Sequence, residues 1–118
     1  MSDRLHAMKH PASGDTHVVV LRGDLDFYRQ PEIRRTLQAA AGKARLIIDL
    51  REARYVSAAA LTELIRCYKQ RVANGLESAR LVVRSPYVRR IFDITGLARV
   101  WTLFESLDAA ACHGAGIN

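Results

Sequence analysis

Short runs of strand-forming residues alternate with segments of helical periodicity along this 118-residue chain. The runs at residues 18–21, 45–50 and 81–83 are rich in branched apolar residues and too short for typical helices. Alternating strands and helices predict a sheet with helices against it, joined by right-handed crossovers. We therefore expect an α/β fold: a single mixed β-sheet of four or five strands with about four helices.

The beginning of the chain predicts a β-hairpin. Residues 4–8 and 17–21 have strand character, and the turn-forming residues 11–15 (Pro-Ala-Ser-Gly-Asp) lie between them. The first helix is expected to start with Pro31 at its N1 position, to bury Ile33 and Leu37, and to end at Gly42 in a left-handed cap.

The second helix has the clearest pattern in the chain. Ser57 precedes the helical run, and Asn74 and Gly75 end it. The predicted inward residues are Leu61, Leu64, Ile65 and Tyr68, and the predicted outward residues include Thr62, Glu63, Arg66, Lys69 and Gln70.

The remaining part of the chain predicts one more helix, a strand and a short helix. Ser85 and Pro86 begin the third helix and Gly96 ends it. A last strand follows at residues 100–104, and Ser106 caps a fourth helix. We expect residues 1–118 to form one domain with a loose tail at residues 114–118, because a chain of this length closes one core.

Composition and charge narrow the classes of function. The longest apolar stretches fall far short of the roughly 20 residues that span a bilayer, and no basic-then-apolar leader is present, so we expect a cytoplasmic protein without direct membrane insertion. The net charge is +6, but the basic residues are spread along the chain, which does not favour a nucleic-acid partner.

No enzymatic motif emerges from the residues. Asp24 and Asp26 are more typical of turns or helix caps than of a catalytic pair. Ser57 is followed by three alanines and lies outside a GxSxG elbow. The two cysteines and four histidines lack metal-ligand spacing, so we expect reduced thiols, no metal and no cofactor. These residues are Cys67, Cys112, His6, His10, His17 and His113.

Three motifs in order resemble the STAS domain family, in particular its anti-sigma factor antagonists. Residues 46–50 (Leu-Ile-Ile-Asp-Leu), a six-residue loop and residues 57–61 (Ser-Ala-Ala-Ala-Leu) look like the family's strand, loop and helix-start signature. Residues 21–26 resemble its early Gly-Glu-Leu-Asp box, and residues 91–97 the end of its third helix. The resemblance covers most of the chain and implies the STAS fold.

The resemblance also implies a switch that this chain has lost. In antagonists of this type, a partner anti-sigma kinase phosphorylates a serine at the helix start, and the unmodified form binds that partner. Here Ser57 takes the motif's aspartate position, Ala58 the phosphorylated serine, Ala59 the next serine and Ala60 the glycine. Ala58 has no hydroxyl, so the usual control cannot operate there. Ser57 is expected to be an N-cap or, alternatively, another phosphorylation site.

We therefore expect a non-enzymatic regulatory domain that binds an anti-sigma factor of kinase-like fold. It is either locked in its binding-competent form or acts as an adaptor. The alternative is a cytoplasmic accessory subunit of a lipid or anion transporter; small-ligand sensing near Asp24 and Ser57 is a third interpretation. A monomer or weak homodimer is expected. The predicted partner-binding residues are Asp24, Tyr55, Val56, Ser57, Ala58, Ala59, Thr62, Glu63 and Arg66. The alternative interpretation, that these positions form an ordinary loop and a solvated helix face without a partner, remains open.

Overall fold

A five-stranded sheet with four helices forms the framework of the computed structural model, which describes residues 6–9 and 16–112. The strands are β1 (His6–Lys9), β2 (Thr16–Val20), β3 (Gly23–Leu25), β4 (Arg45–Asp49), β5 (Ala53–Val56), β6 (Arg80–Val82) and β7 (Thr102–Phe104). The helices are α1 (Gln30–Ala40), α2 (Ala58–Ala73), α3 (Pro86–Thr95) and α4 (Leu107–Cys112). The mixed α/β architecture predicted from the sequence is thereby confirmed.

The main sheet has the order β1-β2-β4-β6-β7. Strand β1 pairs antiparallel with β2, which confirms a starting hairpin, and the other neighbours pair in parallel. Strand β4 lies in the middle, and every residue from Leu46 to Leu50 is buried, as expected for a strand with helices on both faces.

The two faces of the sheet build two hydrophobic clusters, because successive strand residues point to opposite sides. Val19, Ile48 and Leu81 belong to the larger cluster, together with the inward residues of α1, α2 and α3. Val18 and Ile47 belong to the smaller cluster, which is covered by α4. The helices α1 to α3 therefore share one face, and α4 packs on the other.

Most of the predicted helix ends are confirmed. The hydroxyls of Ser57 and Ser85 cap α2 and α3, and Gly96 ends α3 with a left-handed backbone at φ 78°. The left-handed cap predicted at Gly42 is wrong, because α1 ends at Ala40, its C-cap Ala41 is right-handed, and Gly42 has no positive φ. The carbonyls of Gln38 and Ala40 instead accept from the backbone N–H groups of Ala41 at 3.4 Å and Lys43 at 3.0 Å, so the turn closes without a left-handed residue.

Strands β3 and β5 form a separate two-stranded parallel sheet, which the sequence did not predict. At three and four residues each, they are too short to give a clear alternating pattern. This small sheet leads directly into α2. Residues 4 and 5, the turn at 11–15, His10, His113 and the tail at 114–118 lie outside the described residues.

Candidate functional site

The start of α2 is fixed by hydrogen bonds on both sides of Ser57. Its backbone N–H donates to the carbonyl of Leu25 in β3 at 3.0 Å. Its Oγ accepts a hydrogen bond from the N–H of Ala60 at 3.2 Å. The half-buried Ser57 side chain is therefore an N-cap, one of the roles predicted for it.

Replacing Ser57 by alanine is expected to lower the free energy of unfolding by about 1 kcal/mol, because the N–H of Ala60 loses its acceptor. Glycine at the same position is expected to cost only a few tenths of a kcal/mol, roughly the usual figure for a helix N-cap. Urea denaturation of the two variants beside the unmodified protein measures both values. Equal stability of Ser57→Ala and unmodified protein would show that the cap contributes nothing.

The next three residues are alanines with very different exposure. Ala58 is exposed, Ala59 is half-buried, and Ala60 is buried with 1% of its surface accessible. One turn later Thr62 is also exposed, and its hydroxyl donates to the carbonyl of Ala58 at 3.0 Å. The first turn of α2 thus presents a small, smooth surface around Ala58 without a free side-chain hydroxyl at that position.

Strand β5 and the end of β3 extend this surface. Tyr55 is 43% exposed, which leaves a large part of its ring available for contact. Arg54 and Asp24 form an ion pair at 3.3 Å with both side chains more than half exposed. Because both side chains are exposed, both charges are accessible to a partner. An exposed pair of this kind contributes little to folding stability. The structure therefore brings Asp24, Tyr55 and Ala58 near the junction of the small sheet and α2.

Two of the predicted partner-binding residues are buried. Val56 is 3% exposed and Glu63 is 1% exposed, so neither side chain reaches a docking protein directly. Val56 turns inward at the end of β5, whereas the two residues before it, Arg54 and Tyr55, are exposed. The expectation that Glu63 faces outward is wrong. It lies on the buried stripe of α2, three residues after Ala60 and four before Cys67.

Glu63 is the centre of a hydrogen-bond cluster between α1 and α2. Arg34 donates from Nε to Oε1 at 3.1 Å and from Nη2 to Oε2 at 2.9 Å. Gln30 donates to Oε2 at 2.8 Å, and Arg66 donates from Nε to Oε1 at 3.2 Å. The hydrogen bond from Arg34 is the main cause that lowers the pKa of Glu63, and it outweighs the opposing effect of burial.

This cluster determines how Arg34 and Arg66 are presented. Both side chains are close to half exposed while the guanidinium group of each binds the buried carboxylate. Sequence reasoning missed the cluster because Arg34 and Glu63 are 29 residues apart. The sequence contained one signal of this cluster, because Glu63 lies within the buried stripe of α2. An unpaired carboxylate is rarely buried, so its position there indicates a partner.

Sequence reasoning also missed two aromatic residues beside this cluster. Phe27 and Tyr28 lie in a single 3-10 turn between β3 and α1, and they are 68% and 86% exposed. This turn contacts α2 and ends directly before Gln30, which binds Glu63. The signal of an exposed aromatic turn was present in the sequence. Two consecutive aromatic residues precede the proline at the start of a helix and do not belong to an apolar periodic pattern.

The model of the STAS domain family matches residues 8–110 of the chain. The chain belongs to the STAS domain family. This match covers the second half of β1, all of β2, the small sheet and all of the candidate surface at the start of α2. The comparison with curated proteins found no relative of this STAS domain that passes the significance threshold.

Solved structures agree with the family. An anti-sigma factor antagonist from Mycobacterium paratuberculosis is 25% identical, with a TM-score of 0.76 and 93% of each chain covered. A putative anti-sigma factor antagonist from Thermotoga maritima is 14% identical, with a TM-score of 0.74 and 90% of each chain covered. The phosphorylated form of SpoIIAA, a Bacillus cell fate determinant, is 16% identical, with a TM-score of 0.60 and coverage of 88% of this chain and 96% of that one.

These similarities support the general function of an anti-sigma factor antagonist for this STAS domain. Within residues 16–112, no cluster of three or more His, Cys, Asp or Glu side chains is arranged to hold a metal ion. Among the described residues, no helix has the length and apolar character needed to cross a membrane.

Proposed function

We propose that this STAS domain is a non-enzymatic, cytoplasmic antagonist whose partner is an anti-sigma factor of kinase-like fold. The observation that carries the proposal is the exposed first turn of α2, where Ala58 stands at the position of the family's phosphorylated serine. A relative of the same fold, SpoIIAA, has a phosphorylated form. The presence of alanine here supports binding without phosphorylation at this position.

The neighbouring Ser57 is a poor substitute for the missing serine. Its oxygen accepts the capping hydrogen bond from Ala60, and its side chain is half-buried. Phosphorylation requires a hydroxyl that a kinase can reach and orient, and the cap holds this one against the helix end. We propose that the protein remains permanently in the form that binds its partner.

The chemistry of the surface suits a protein partner. Ala58 and Ala59 allow close approach of a partner backbone, and Tyr55 provides an aromatic contact of the type enriched at interfaces. Asp24, Thr62 and Arg66 surround them with polar and charged groups. A small apolar centre with a polar rim is the usual anatomy of such an interface.

Glutamate at position 58 is expected to weaken partner binding by at least about tenfold, or about 1.4 kcal/mol. The added carboxylate suits a helix N-terminus, so the fold tolerates it, while a docked partner must desolvate or repel it. The matched control is Ala109→Glu, at an exposed alanine in the first turn of α4, on the opposite face of the sheet. Affinity capture with mass spectrometry identifies the partner, and calorimetry with the purified partner gives both affinities.

The proposal requires that unmodified protein and Ala109→Glu capture an anti-sigma factor with a kinase-like domain and that Ala58→Glu does not. Capture of a permease or a transport ATPase instead would assign the protein to a transporter as an accessory subunit. Efficient phosphorylation of residue 57 by the captured kinase would overturn the part of the proposal concerning permanent binding.

A further inference from the structure

The aromatic turn of Phe27 and Tyr28 has the character of a contact surface. Their ring centroids are 5.7 Å apart in an edge-to-face arrangement, so they form one apolar unit. They are the two most exposed aromatic side chains within residues 16–112, at 68% and 86%. Adjacent large aromatics at this exposure have no role in the core, and contiguous exposed apolar surface commonly marks an interaction site.

The turn is held in place by charged and backbone hydrogen bonds. Asp26 accepts at its carboxylate from the N–H of Arg29 at 3.2 Å. The guanidinium of Arg29 donates to the carbonyls of Arg22 at 2.6 Å and Asp24 at 3.2 Å, and to the carboxylate of Glu32 at 3.3 Å. These bonds tie the turn to β3 and α1, so the aromatic rings project from a backbone that needs little ordering when a ligand binds.

A groove of about 500 Å³ runs between this turn and the first two turns of α1. Its lining residues are Phe27, Tyr28, Gln30, Pro31, Arg34 and Arg35. Among the described residues that line the groove, the only charged side chains are the two arginines, so the groove combines an aromatic wall with positive charge. A concave site of this volume accommodates a large side chain with its flanking backbone.

The two arginines differ in how freely their guanidinium groups can bind a ligand. Arg34 uses Nε and Nη2 to bind Glu63, which fixes its guanidinium at the edge of the groove. Arg35 is exposed, and within residues 16–112 no carboxylate forms an ion pair with it. Guanidinium groups beside aromatic rings are well suited to bind a carboxylate whose neighbouring side chain is apolar.

We propose that this groove binds a segment of a partner protein in which a large apolar side chain is flanked by aspartate or glutamate. The apolar side chain packs between the rings and Pro31, and the carboxylates pair with the arginines. Charge complementarity favours an acidic segment, and the concave shape favours an inserted side chain over a flat lipid surface.

The proposal rests on the proposed function in one respect, because we assign the groove and the α2 surface to the same partner. Gln30 lines the groove and Arg34 forms its edge, and both side chains bind Glu63 of α2. The two surfaces are therefore joined by direct hydrogen bonds. A partner that covers Ala58 and Arg66 has only to extend across these side chains to reach the groove.

A phage-displayed library of random twelve-residue peptides tests the groove without the natural partner. Selection on the unmodified protein, after depletion on the double variant Tyr28→Ser, Arg35→Glu, is expected to enrich peptides with an aromatic or aliphatic residue beside acidic ones. Both positions are exposed, so the variant is expected to fold, which circular dichroism verifies. The matched control is Tyr87→Ser, Arg90→Glu, which makes the same changes at exposed positions on α3.

The affinity of an enriched peptide, measured by fluorescence anisotropy, is expected to fall at least about tenfold in the groove variant and to stay unchanged in the α3 control. Enrichment without acidic residues, or equal affinity for all three proteins, would overturn the proposal. So would stronger retention of the unmodified protein than of the groove variant on vesicles of phosphatidylglycerol, since the ligand would then be a lipid surface.

The same peptide separates this proposal from the proposed function. The Ala58→Glu variant is expected to bind the peptide normally, because residue 58 does not line the groove. Peptide binding together with failure to capture an anti-sigma factor would leave the groove assigned and the partner class wrong. Capture of an anti-sigma factor together with failure to enrich any peptide that binds the groove would support the α2 surface and overturn the groove proposal.

Discussion

Replacing Arg71 by methionine is expected to lower the free energy of unfolding by about 3 kcal/mol or more, because a buried guanidinium with several hydrogen bonds is lost. Arg71 is fully buried in the last turn of α2. It donates to the carbonyls of Glu77 at 2.8 Å, Ala41 at 2.9 Å, Lys43 at 2.8 Å and Ala44 at 3.2 Å. Methionine fills much of the space but donates nothing.

These four carbonyls belong to two separate connections. Ala41, Lys43 and Ala44 lie between α1 and β4, and Glu77 lies between α2 and β6. One planar side chain therefore holds both loops at the same end of the sheet. Three of its four acceptors follow α1 and one follows α2.

Lysine at position 71 is expected to recover only part of this stability, since a single ammonium cannot match the planar fork that reaches four acceptors. Arg90→Met provides the matched control, as it makes the same change at an exposed position on α3 and is expected to stay within about 0.5 kcal/mol of the unmodified protein. Urea denaturation measures all three variants. Similar losses in Arg71→Met and Arg90→Met would refute the structural role.

The sequence predicted the parts of the fold that depend on local chemistry. Serine caps, the proline after Ser85 and the glycine at position 96 act within a few residues, and the structure confirms each of them. Glu63 and Arg71 could not be placed in the same way. A charged residue on a helix is expected in solvent, and only its distant partners make burial favourable.

The candidate site shows the same division. The motif at the start of α2 identified Ala58, and its exposure agrees with a surface role. The α1 side of the surface was missed because its residues come together only when α1 packs on α2. Arg34 and Gln30 meet Glu63 across a separation of 29 and 33 residues, and no pattern within either helix reports that contact.

Glutamine at position 63 is expected to lower the free energy of unfolding at neutral pH by about 2 kcal/mol. The glutamine amide keeps one acceptor oxygen, but its NH2 group must face a donor. That donor is the guanidinium of Arg34, the guanidinium of Arg66 or the amide NH2 of Gln30. Loss of a fully buried ion pair costs about 3–5 kcal/mol, and the smaller value here follows because Arg34 and Arg66 are near the surface and become hydrated.

The destabilisation is also expected to depend on pH in a defined direction. The pKa of Glu63 is lower in the folded protein than in the unfolded chain, chiefly because Arg34 donates to its carboxylate. The unfolded chain therefore binds the proton first as the pH falls, beginning near the ordinary glutamate value of about 4.3. The stability that Glu63 contributes is complete above that value and is lost as the pH falls through the folded pKa.

Urea denaturation at a series of pH values between 7 and 3 measures this dependence. The stability difference between the unmodified protein and Glu63→Gln is expected to be constant near neutral pH and to shrink in the acidic range. The control is Glu105→Gln, because Glu105 is exposed and forms no ion pair with the described residues. A difference for Glu63→Gln that persists unchanged to the lowest pH would mean that glutamine disrupts packing and that the ion-pair cluster does not join α1 to α2.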